Sequence, residues 1–266
     1  LYTGPSSVDA AKQVNIVQDL ISKKVDAICI SSIDSTSIVP VLKTAMSKGI
    51  RVLTWDLDCQ PDGREYYVGI TDMKKLGEHM LDILAEQMGN KGEYALITGS
   101  LNAQLLNERI DAIKAYNKEK YPDMKLVSVE AADVDPQKAF VIAQNLITAY
   151  PDLKGILSNS SEAASAAAQA VEQANLDGKI KVCGISTPNV MRPYLKKGSA
   201  QVINLWDPKK YGYLTVQVAV ELLKGTKFSD GKVPIGSFDR LELKDREFKF
   251  NELIDFTKDN VDDYNF

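Results

Sequence analysis

The sequence is poor in histidine and cysteine, and both shortages restrict its chemistry. His79 is the single histidine among 266 residues, which excludes a metal site built from several histidines and leaves a Ser-His-Asp triad only one possible base. Cys29, Cys59 and Cys183 lie far apart and form no CxxC pair, so the sequence indicates neither a disulfide framework nor a zinc knuckle. We therefore expect no bound metal.

A basic excess, long apolar runs and phosphate-binding motifs are also lacking. Lysine and arginine total 32 against 36 aspartates and glutamates, a net charge of −4, whereas a general nucleic-acid-binding protein carries a basic excess. No apolar run approaches the roughly 20 residues that span a bilayer. Gly184 and Gly198 belong to no GxGxxG or GxxxxGK pattern. We expect no nucleic-acid partner and no cofactor.

Short β-branched runs alternate with amphipathic stretches along most of the chain. Most of these runs are continuously apolar, as in parallel strands covered on both faces, and the alternation predicts an α/β fold. Strands are predicted at 26–31, 50–55, 66–70, 93–98, 125–129, 155–158, 180–185 and 201–205. Helices are predicted at 8–24, 36–48, 72–88, 102–120, 136–150, 161–175, 188–197 and 208–224.

The number of strands and a change of rhythm near the C-terminus indicate two sheets. Of the eight predicted strands, 66–70 is a minor one, and the remaining seven are many for one sheet in a chain of this length. From 233 to 250 the apolar residues alternate with polar ones, which predicts antiparallel or edge strands. The polar tail, 251–266, is expected to form a short helix and a cap.

Polar and indole side chains stand where the predicted strands end. Trp55-Asp56 and Trp206-Asp207 end two strands, and the stretch 159–161 ends another. The carboxyl ends of parallel strands lie along one edge of a sheet, and ligands bind in the crevice outside that edge. Carboxylates and amides bind vicinal hydroxyls, while an indole offers an apolar face to a sugar ring. The pattern therefore predicts a site for a polyhydroxylated molecule.

Other interpretations of these positions remain open. Polar residues at strand ends often only cap the helix that follows. Asp56 and Asp58 could bind a metal or act as acid and base on a glycoside, although no third ligand cluster accompanies them. His79 falls within predicted helix 72–88, where we expect a surface or boundary position. Cys29 is expected to be a small core hydrophobe. We expect no catalytic residue.

Several stretches resemble the periplasmic sugar-binding proteins of ABC importers, of the type I, ribose-binding-like kind. The resemblance is carried by ISTPNVMRPY at 185–194 and LWD at 205–207, with support from LTWDLD at 53–58, AAAQA at 166–170 and the tail FTKDNVDDYNF at 256–266. It extends over essentially the whole chain. Within the family, the sequence is most similar to the autoinducer-2 receptor and rhamnose-binding branches.

The resemblance implies a fold of two flavodoxin-like lobes with parallel sheets, joined by crossover strands and holding ligand in a cleft. Lobe one is expected to comprise 1–99 plus 208–238, and lobe two 100–207 plus 239–266. The family's first strand, first helix and most of its second strand have no counterpart here, so we expect sequence upstream of Leu1. A lysine that contacts autoinducer-2 belongs to that part and is not assigned.

The resemblance also implies ligand-binding residues. Asp56 and the pair Trp206-Asp207 match the family well, and Trp55 and Asp58 flank the first of these. Other expected ligand-binding positions depart from the autoinducer-2 receptors. Those receptors have an Asp-Gln pair where this chain has Leu105-Leu106, ahead of Arg109, and Pro-Asp-Ala where it has Asn159-Ser160-Ser161.

The implied function is that of a non-catalytic solute receptor. It would bind autoinducer-2 or a sugar such as rhamnose or a pentose, close by hinge motion and deliver the ligand to a membrane permease. We expect a monomer in the periplasm or a membrane-anchored lipoprotein outside the cytoplasm. The regulatory core of a LacI-type repressor shares this architecture, but it would need a helix-turn-helix ahead of Leu1. A glycoside-cleaving enzyme using Asp56 and Asp58 is the third alternative.

Overall fold

The chain forms two compact units in a computed structural model that describes residues 1–6, 9–101 and 104–266. Unit 1 comprises Leu1–Thr71 and Asp207–Glu252, and unit 2 comprises Asp72–Trp206 and Leu253–Phe266. Each unit contains its own six-stranded sheet.

Strands and helices alternate over most of the described chain. The strands are β1 (Ala27–Ile30), β2 (Arg51–Trp55), β3 (Tyr66–Gly69), β4 (Gly92–Thr98), β5 (Met124–Ala131), β6 (Leu153–Ser158), β7 (Lys181–Ile185), β8 (Val202–Trp206), β9 (Gly231–Ile235), β10 (Phe238–Lys244), β11 (Glu247–Lys249) and β12 (Leu253–Phe256). The helices are α1 (Ala10–Ser22), α2 (Val39–Ser47), α3 (Met73–Met88), α4 (Gln104–Lys120), α5 (Pro136–Ala149), α6 (Ser161–Gln173), α7 (Pro188–Lys197) and α8 (Pro208–Leu223). Short 3-10 helices lie at Pro61–Gly63 and Val261–Asp263.

The sheet of unit 1 has the strand order β1-β2-β3-β11-β10-β9. Its first four strands are parallel, and β9, β10 and β11 pair antiparallel with one another in sequence. Helices α1 and α2 bury Val17 and Leu42 in one apolar cluster. Helix α8 packs against β1 and β2 and buries Tyr211 and Leu214, so its first turns contribute to the end of β2.

The sheet of unit 2 has the strand order β12-β8-β7-β6-β4-β5. All of its pairings are parallel except that of β12 with β8. Strands β6 and β7 approach closely at Gly184, whose φ is 134°, and a Cβ atom there would lie 2.1 Å from the carbonyl oxygen of Ser158. Only glycine fits this position without displacing the neighbouring strand.

The structure confirms the predicted α/β fold with two largely parallel sheets. Each predicted strand and helix has an observed counterpart, and β9 to β11 form the predicted antiparallel segment, with β11 also pairing parallel to β3. Residues 7, 8, 102 and 103, at the starts of predicted helices 8–24 and 102–120, lie outside the described residues. The tail forms the short helix expected, but it begins with strand β12, which was missed because its LIDF sequence is short.

The boundaries of the two units differ from the expected lobes. Residues 72–99, expected in lobe one, lie in unit 2 because β4 pairs with β5 and β6. Residues 239–252, expected in lobe two, lie in unit 1 because β10 and β11 pair with β9 and β3. Asp207 also falls in unit 1. Apolar patterning predicts a strand but not its partner, and the partner decides the boundary.

The side chain of Cys29, on β1, is exposed in the described chain, whereas a core position was expected. Cys59 and Cys183 are buried. In the described ranges no helix has both the length and the apolarity for a membrane crossing.

Candidate functional site

Trp55 and Asp56 lie together at the carboxyl end of β2 in unit 1. Trp55 is the last residue of the strand, and its half-buried ring meets the ring of Tyr211 edge-on at 6.0 Å between centroids. Asp56 follows in the left-handed backbone conformation, with φ at 58°. Aspartate is one of the few residue types besides glycine that adopt this conformation readily. The turn therefore begins directly at the predicted site residue.

The carboxylate of Asp56 has few internal hydrogen-bond donors. Oδ2 accepts a long hydrogen bond of 3.4 Å from Oγ of Ser31, and no other described group donates to either oxygen. Burial raises the pKa of Asp56 above its ordinary value, and the Ser31 hydrogen bond opposes this rise. A half-buried carboxylate with free acceptor capacity is suited to hydroxyl donors of a ligand.

Asp58, also predicted as a site residue, has its carboxylate engaged within the protein. Nε and Nη2 of Arg64 donate to its two oxygens at distances of 2.7–3.0 Å, and the backbone N–H of Cys59 donates to Oδ1 at 2.8 Å. The hydroxyl of Thr54 donates to the same oxygen. Arg64 is buried and also pairs with Glu247 at 3.2 Å. Asp58 therefore anchors the loop, and the pair Asp56–Asp58 does not offer two free carboxyls.

In unit 2, Arg109 and Asn159 form a buried pair at the carboxyl ends of β4 and β6. Nη1 of Arg109 donates to Oδ1 of Asn159 at 3.0 Å, and Nη2 contacts Sδ of Met73 at 3.4 Å. Nε of Arg109 has no hydrogen-bond partner among the described residues. Burial lowers the pKa of Arg109 to about 10. The guanidinium thus keeps free donor capacity in a nearly dry environment.

Asn159 also connects Leu106, one of the two leucines of the predicted site, to the end of β4. Its Nδ2 donates to Oγ1 of Thr98 at 3.1 Å and to the carbonyl oxygen of Leu106 at 3.2 Å. Leu105 and Leu106 are half-buried in the first turns of α4. The structure brings Leu106, Arg109 and Asn159 together.

Ser161 is exposed at the first residue of α6, and its carbonyl oxygen accepts a hydrogen bond of 3.0 Å from Ser186. Its two neighbours, Ser160 and Glu162, each have a buried side-chain oxygen. Oγ of Ser160 and Oε1 of Glu162 are buried without a hydrogen-bond partner among the described residues. A Cβ atom on Gly99 would lie 3.4 Å from that Glu162 oxygen, which places it beside the end of β4.

Trp206 is the last residue of β8 and Asp207 follows it as the N-cap of α8, so the two residues have different surroundings. The Trp206 ring is half-buried and packs at the margin of the unit 2 core. Asp207 caps α8, since its Oδ1 accepts from the backbone N–H groups of Lys209 and Lys210 at 2.8 and 3.2 Å. The capping alternative weighed for strand-end residues thus describes Asp207.

Asn204 was missed by sequence reasoning. It lies in β8 at 1% exposure, and neither its Nδ2 nor its Oδ1 has a hydrogen-bond partner among the described residues. An unpaired buried amide is destabilising by about 1–3 kcal/mol, which is unusual without a functional reason. The available signal was a single amide inside the otherwise apolar run VINLW.

No group of three or more histidine, cysteine, aspartate or glutamate side chains within the described ranges is arranged to hold a metal ion. His79, which is half-buried on α3, has Asp255 on β12 as its partner, with Nε2 and Oδ1 separated by 2.9 Å. This boundary position agrees with the one predicted for His79.

The chain is similar in sequence to known binding proteins. A family model described as a periplasmic binding protein domain matches residues 1–227. The D-ribose/D-allose-binding protein of Pseudomonas aeruginosa is 28% identical over 223 residues, which cover 82% of this chain and 69% of that protein.

Two solved structures are similar over nearly the whole chain. An ABC transporter solute-binding protein from Burkholderia graminis in complex with D-arabinose has a TM-score of 0.82 and 30% identity, and the match covers 99% of this chain and 86% of that chain. LsrB from Clostridium saccharobutylicum in complex with AI-2 has a TM-score of 0.84 and 25% identity, with 100% of this chain and 90% of that chain covered. These matches confirm the predicted fold class of two α/β lobes.

Proposed function

Since the chain belongs to the periplasmic binding protein family, we propose that it is a non-catalytic receptor for a small cyclic polyol, which it delivers to the permease of an ABC importer. The observation that carries the proposal is the set of polar groups with unused hydrogen-bonding capacity near the strand ends of each unit. These groups lie on Asp56 in unit 1 and on Arg109, Ser160, Glu162 and Asn204 in unit 2.

In unit 1, Asp56 and Trp55 supply the two kinds of contact that a sugar ring needs. The carboxylate of Asp56 accepts hydrogen bonds from ligand hydroxyls, which contribute about 1.5–3 kcal/mol each when one partner is charged. The indole of Trp55 packs on the apolar face of the ring. Asp58 supports the loop and does not contact the ligand in this proposal, because Arg64 donates to both of its oxygens.

Among the described residues of unit 2, the groups without a hydrogen-bond partner are a mixture of donors and acceptors. Arg109 donates, Glu162 accepts, and Asn204 and Ser160 can do both. Each of these groups is destabilising by about 1–3 kcal/mol while it is buried without a partner. A ligand bearing several hydroxyls satisfies such a set, whereas an apolar ligand does not.

The remaining predicted residues have narrower roles in this proposal. Asn159 orients the guanidinium of Arg109, and Leu105 and Leu106 line the apolar side of the ligand. Trp206 supplies a second indole face. The backbone carbonyl of Ser161 accepts a hydrogen bond from Ser186 and so links the segments that follow β6 and β7. Asp207 caps α8.

The relatives differ in the ligands that their names and complexes carry: D-ribose and D-allose, D-arabinose, and AI-2. An aldose is the favoured class for this chain because Leu105 and Leu106 stand where the resemblance implies an Asp-Gln pair in autoinducer-2 receptors. Without that pair, the autoinducer-2 hydroxyls that it would meet stay unpaired, at about 1–3 kcal/mol each. Autoinducer-2 held by an altered set of residues is the second candidate.

The proposed setting follows from the family. We expect the protein to act outside the cytoplasm, as a monomer, with a membrane permease as its macromolecular partner. We expect no chemical change in the ligand, because Asp58 and Arg64 form an internal ion pair and His79 pairs with Asp255.

A thermal-unfolding screen tests the proposal. The panel is D-ribose, D-allose, D-arabinose, L-rhamnose and autoinducer-2, with amino acids and nucleotides as controls. A ligand at about 100 times its Kd adds about 2.7 kcal/mol to the free energy of unfolding, so a true ligand raises Tm by several degrees. A rise with a panel member and none with the controls supports the proposal. A rise only with the controls, or with nothing, contradicts it.

A further inference from the structure

Asp56 has a backbone conformation that needs external support. Its φ of 58° lies in the left-handed region, which residues with a Cβ atom adopt rarely and mostly in isolated turns. The turn is short, with an isolated antiparallel bridge between Trp55 and Leu57 on either side of Asp56. The direction of the Asp56 carboxylate depends on this conformation, because the Cα–Cβ bond is fixed by the backbone.

Two tyrosine hydroxyls hold both polar groups of the Asp56 backbone. The N–H of Asp56 donates to Oη of Tyr211 at 2.8 Å, and Oη of Tyr211 in turn donates to the carbonyl oxygen of Val68 at 2.5 Å. Oη of Tyr67 donates to the carbonyl oxygen of Asp56 at 2.7 Å. The two tyrosines come from different elements, α8 and β3, so the turn is held from two directions within unit 1.

The rings that carry these hydroxyls are themselves fixed. Tyr211 is 2% exposed, and its ring packs against Trp55 and Phe250 at centroid distances of 6.0 and 5.5 Å. The ring of Tyr67 lies beside Gly69, where a Cβ atom would be 2.9 Å from Cε1 of the tyrosine. The guanidinium of Arg64 lies 5.5 Å from the centre of the same ring. Neither hydroxyl can leave Asp56 without repacking its neighbours.

Both hydroxyls stay protonated. Burial raises the pKa of Tyr67 and of Tyr211 above the ordinary tyrosine value, and the neighbouring carboxylates Asp56 and Asp58 raise both further. A protonated phenol is required at each position, because Tyr67 donates to a carbonyl and Tyr211 donates to Val68 while it accepts from Asp56. Phenylalanine would fill the same space and make none of these bonds.

We propose that Tyr67 and Tyr211 are positioning residues of the binding site: their hydroxyls lock the Asp56 backbone in its left-handed conformation and so point the Asp56 carboxylate toward the ligand before the ligand arrives. The inference rests on the proposed function, since it assigns these tyrosines a role in the affinity for the polyol. Preorganisation of this kind raises affinity because the ordering of the turn no longer has to accompany binding.

The first arm of the test needs no ligand. Amide hydrogen exchange of Asp56 is followed by NMR in the wild type and in Tyr211→Phe, with Tyr94→Phe as the matched control. Tyr94→Phe also removes a buried phenolic hydrogen bond, to Oδ1 of Asn117 at 2.6 Å, but it lies in unit 2. Tyr211→Phe should accelerate exchange at Asp56 about tenfold, and Tyr94→Phe should not. Unchanged exchange in Tyr211→Phe overturns the proposal.

The second arm measures affinity by a double-mutant cycle. The probe is the member of the set D-ribose, D-allose, D-arabinose, L-rhamnose and autoinducer-2 that the wild type binds most tightly. Tyr67→Phe and Tyr211→Phe should each raise Kd about tenfold in the wild-type background. In the Asp56→Gly background they should leave Kd unchanged, because glycine keeps the left-handed turn but has no carboxylate to aim.

The outcomes separate the inference from the proposed function. Equal increases of Kd in both backgrounds overturn the positioning role, because the tyrosines would then act independently of the Asp56 carboxylate. A Kd that is unchanged in both Tyr→Phe variants of the wild type also overturns it. If none of the five probes binds the wild type, the proposed function fails and the positioning role fails with it, whatever the exchange arm shows of the turn itself.

Discussion

The guanidinium of Arg109 donates from Nη1 to Oδ1 of Asn159 across 3.0 Å, and no described carboxylate lies within ion-pair distance of it. Arg64, which is equally buried, pairs with Asp58 at 2.7 Å and with Glu247 at 3.2 Å. The two arginines therefore allow a comparison between a buried cation with carboxylate partners and one with no carboxylate partner among the described residues.

Arg109→Met should leave the free energy of unfolding unchanged or raise it, because it removes an unpaired buried charge. The same substitution should weaken sugar binding by about 1.5–3 kcal/mol, the value of hydrogen bonds to a charged group. Urea unfolding and calorimetric titration measure the two effects. Arg64→Met is the control and should lower the free energy of unfolding by about 3 kcal/mol. Equal destabilisation by both substitutions, with unchanged affinity, would contradict the assignment of Arg109.

Asp56→Asn should weaken sugar binding by about 2 kcal/mol while the protein stays folded, because asparagine tolerates the left-handed backbone but carries no charge. The matched control is Asp207→Asn. Asparagine caps helices as well as aspartate does, so this control should change neither stability nor affinity. Titration of both variants with the same sugar checks the prediction. A larger affinity loss in Asp207→Asn than in Asp56→Asn would reverse the two assignments.

His79 and Asp255 should make stability depend on pH. The hydrogen bond with Asp255 raises the pKa of His79 above its ordinary value, burial opposes the rise, and the charges of Asp255 and Asp82 add to it. A raised pKa in the folded state means that the contribution is fully present below the unfolded value of about 6.5 and is lost as the pH rises through the folded value.

Urea unfolding of His79→Gln at about pH 5 and about pH 9 tests this linkage. The variant should be less stable than the wild type at the lower pH and closer to it at the higher pH. Sugar affinity should not change, because His79 is expected to make no ligand contact. An equal stability difference at both pH values would mean that the ion pair contributes nothing.

Gly184→Ala should destabilise the protein by at least about 3 kcal/mol, because the new Cβ meets the Ser158 backbone and the φ of 134° disfavours any side chain. Gly212→Ala is the contrasting substitution. Gly212 lies inside α8, and a Cβ there meets nothing within 4 Å, so alanine should stabilise by about 0.5–1 kcal/mol. Thermal unfolding of both variants is the measurement, and a shift in the same direction for both would be the wrong result.

The position of Trp55 and Asp56 at the end of a strand could be predicted from the sequence because the signal is local: an apolar run ends in an indole and a carboxylate. The partners of Asp58 and Asp207 could not be predicted in this way. The pairing of Asp58 with Arg64 depends on how the loop after β2 folds. Whether Asp207 caps a helix depends on the backbone geometry at the start of α8, which the sequence does not give. Residue type and strand position predict where a carboxylate lies. Its hydrogen-bond partners determine whether its oxygens are used within the protein or can accept from a ligand.

Asn204 illustrates a second limit. It lies inside an apolar run that predicts a buried strand, yet its side-chain amide is buried without a hydrogen-bond partner among the described residues. Burial and strand order arise from pairing between distant segments, which a single apolar run does not encode. The same reason explains why residues 72–99 belong to unit 2 rather than to the expected first lobe.

Isothermal titration of the wild type with the aldose panel, followed by recovery of the ligand and its NMR spectrum, tests the central claim most directly. We expect saturable binding of one cyclic polyol per chain, with the recovered ligand chemically unchanged. Absence of binding by every aldose and by autoinducer-2, or conversion of a bound sugar into a product, would contradict the account.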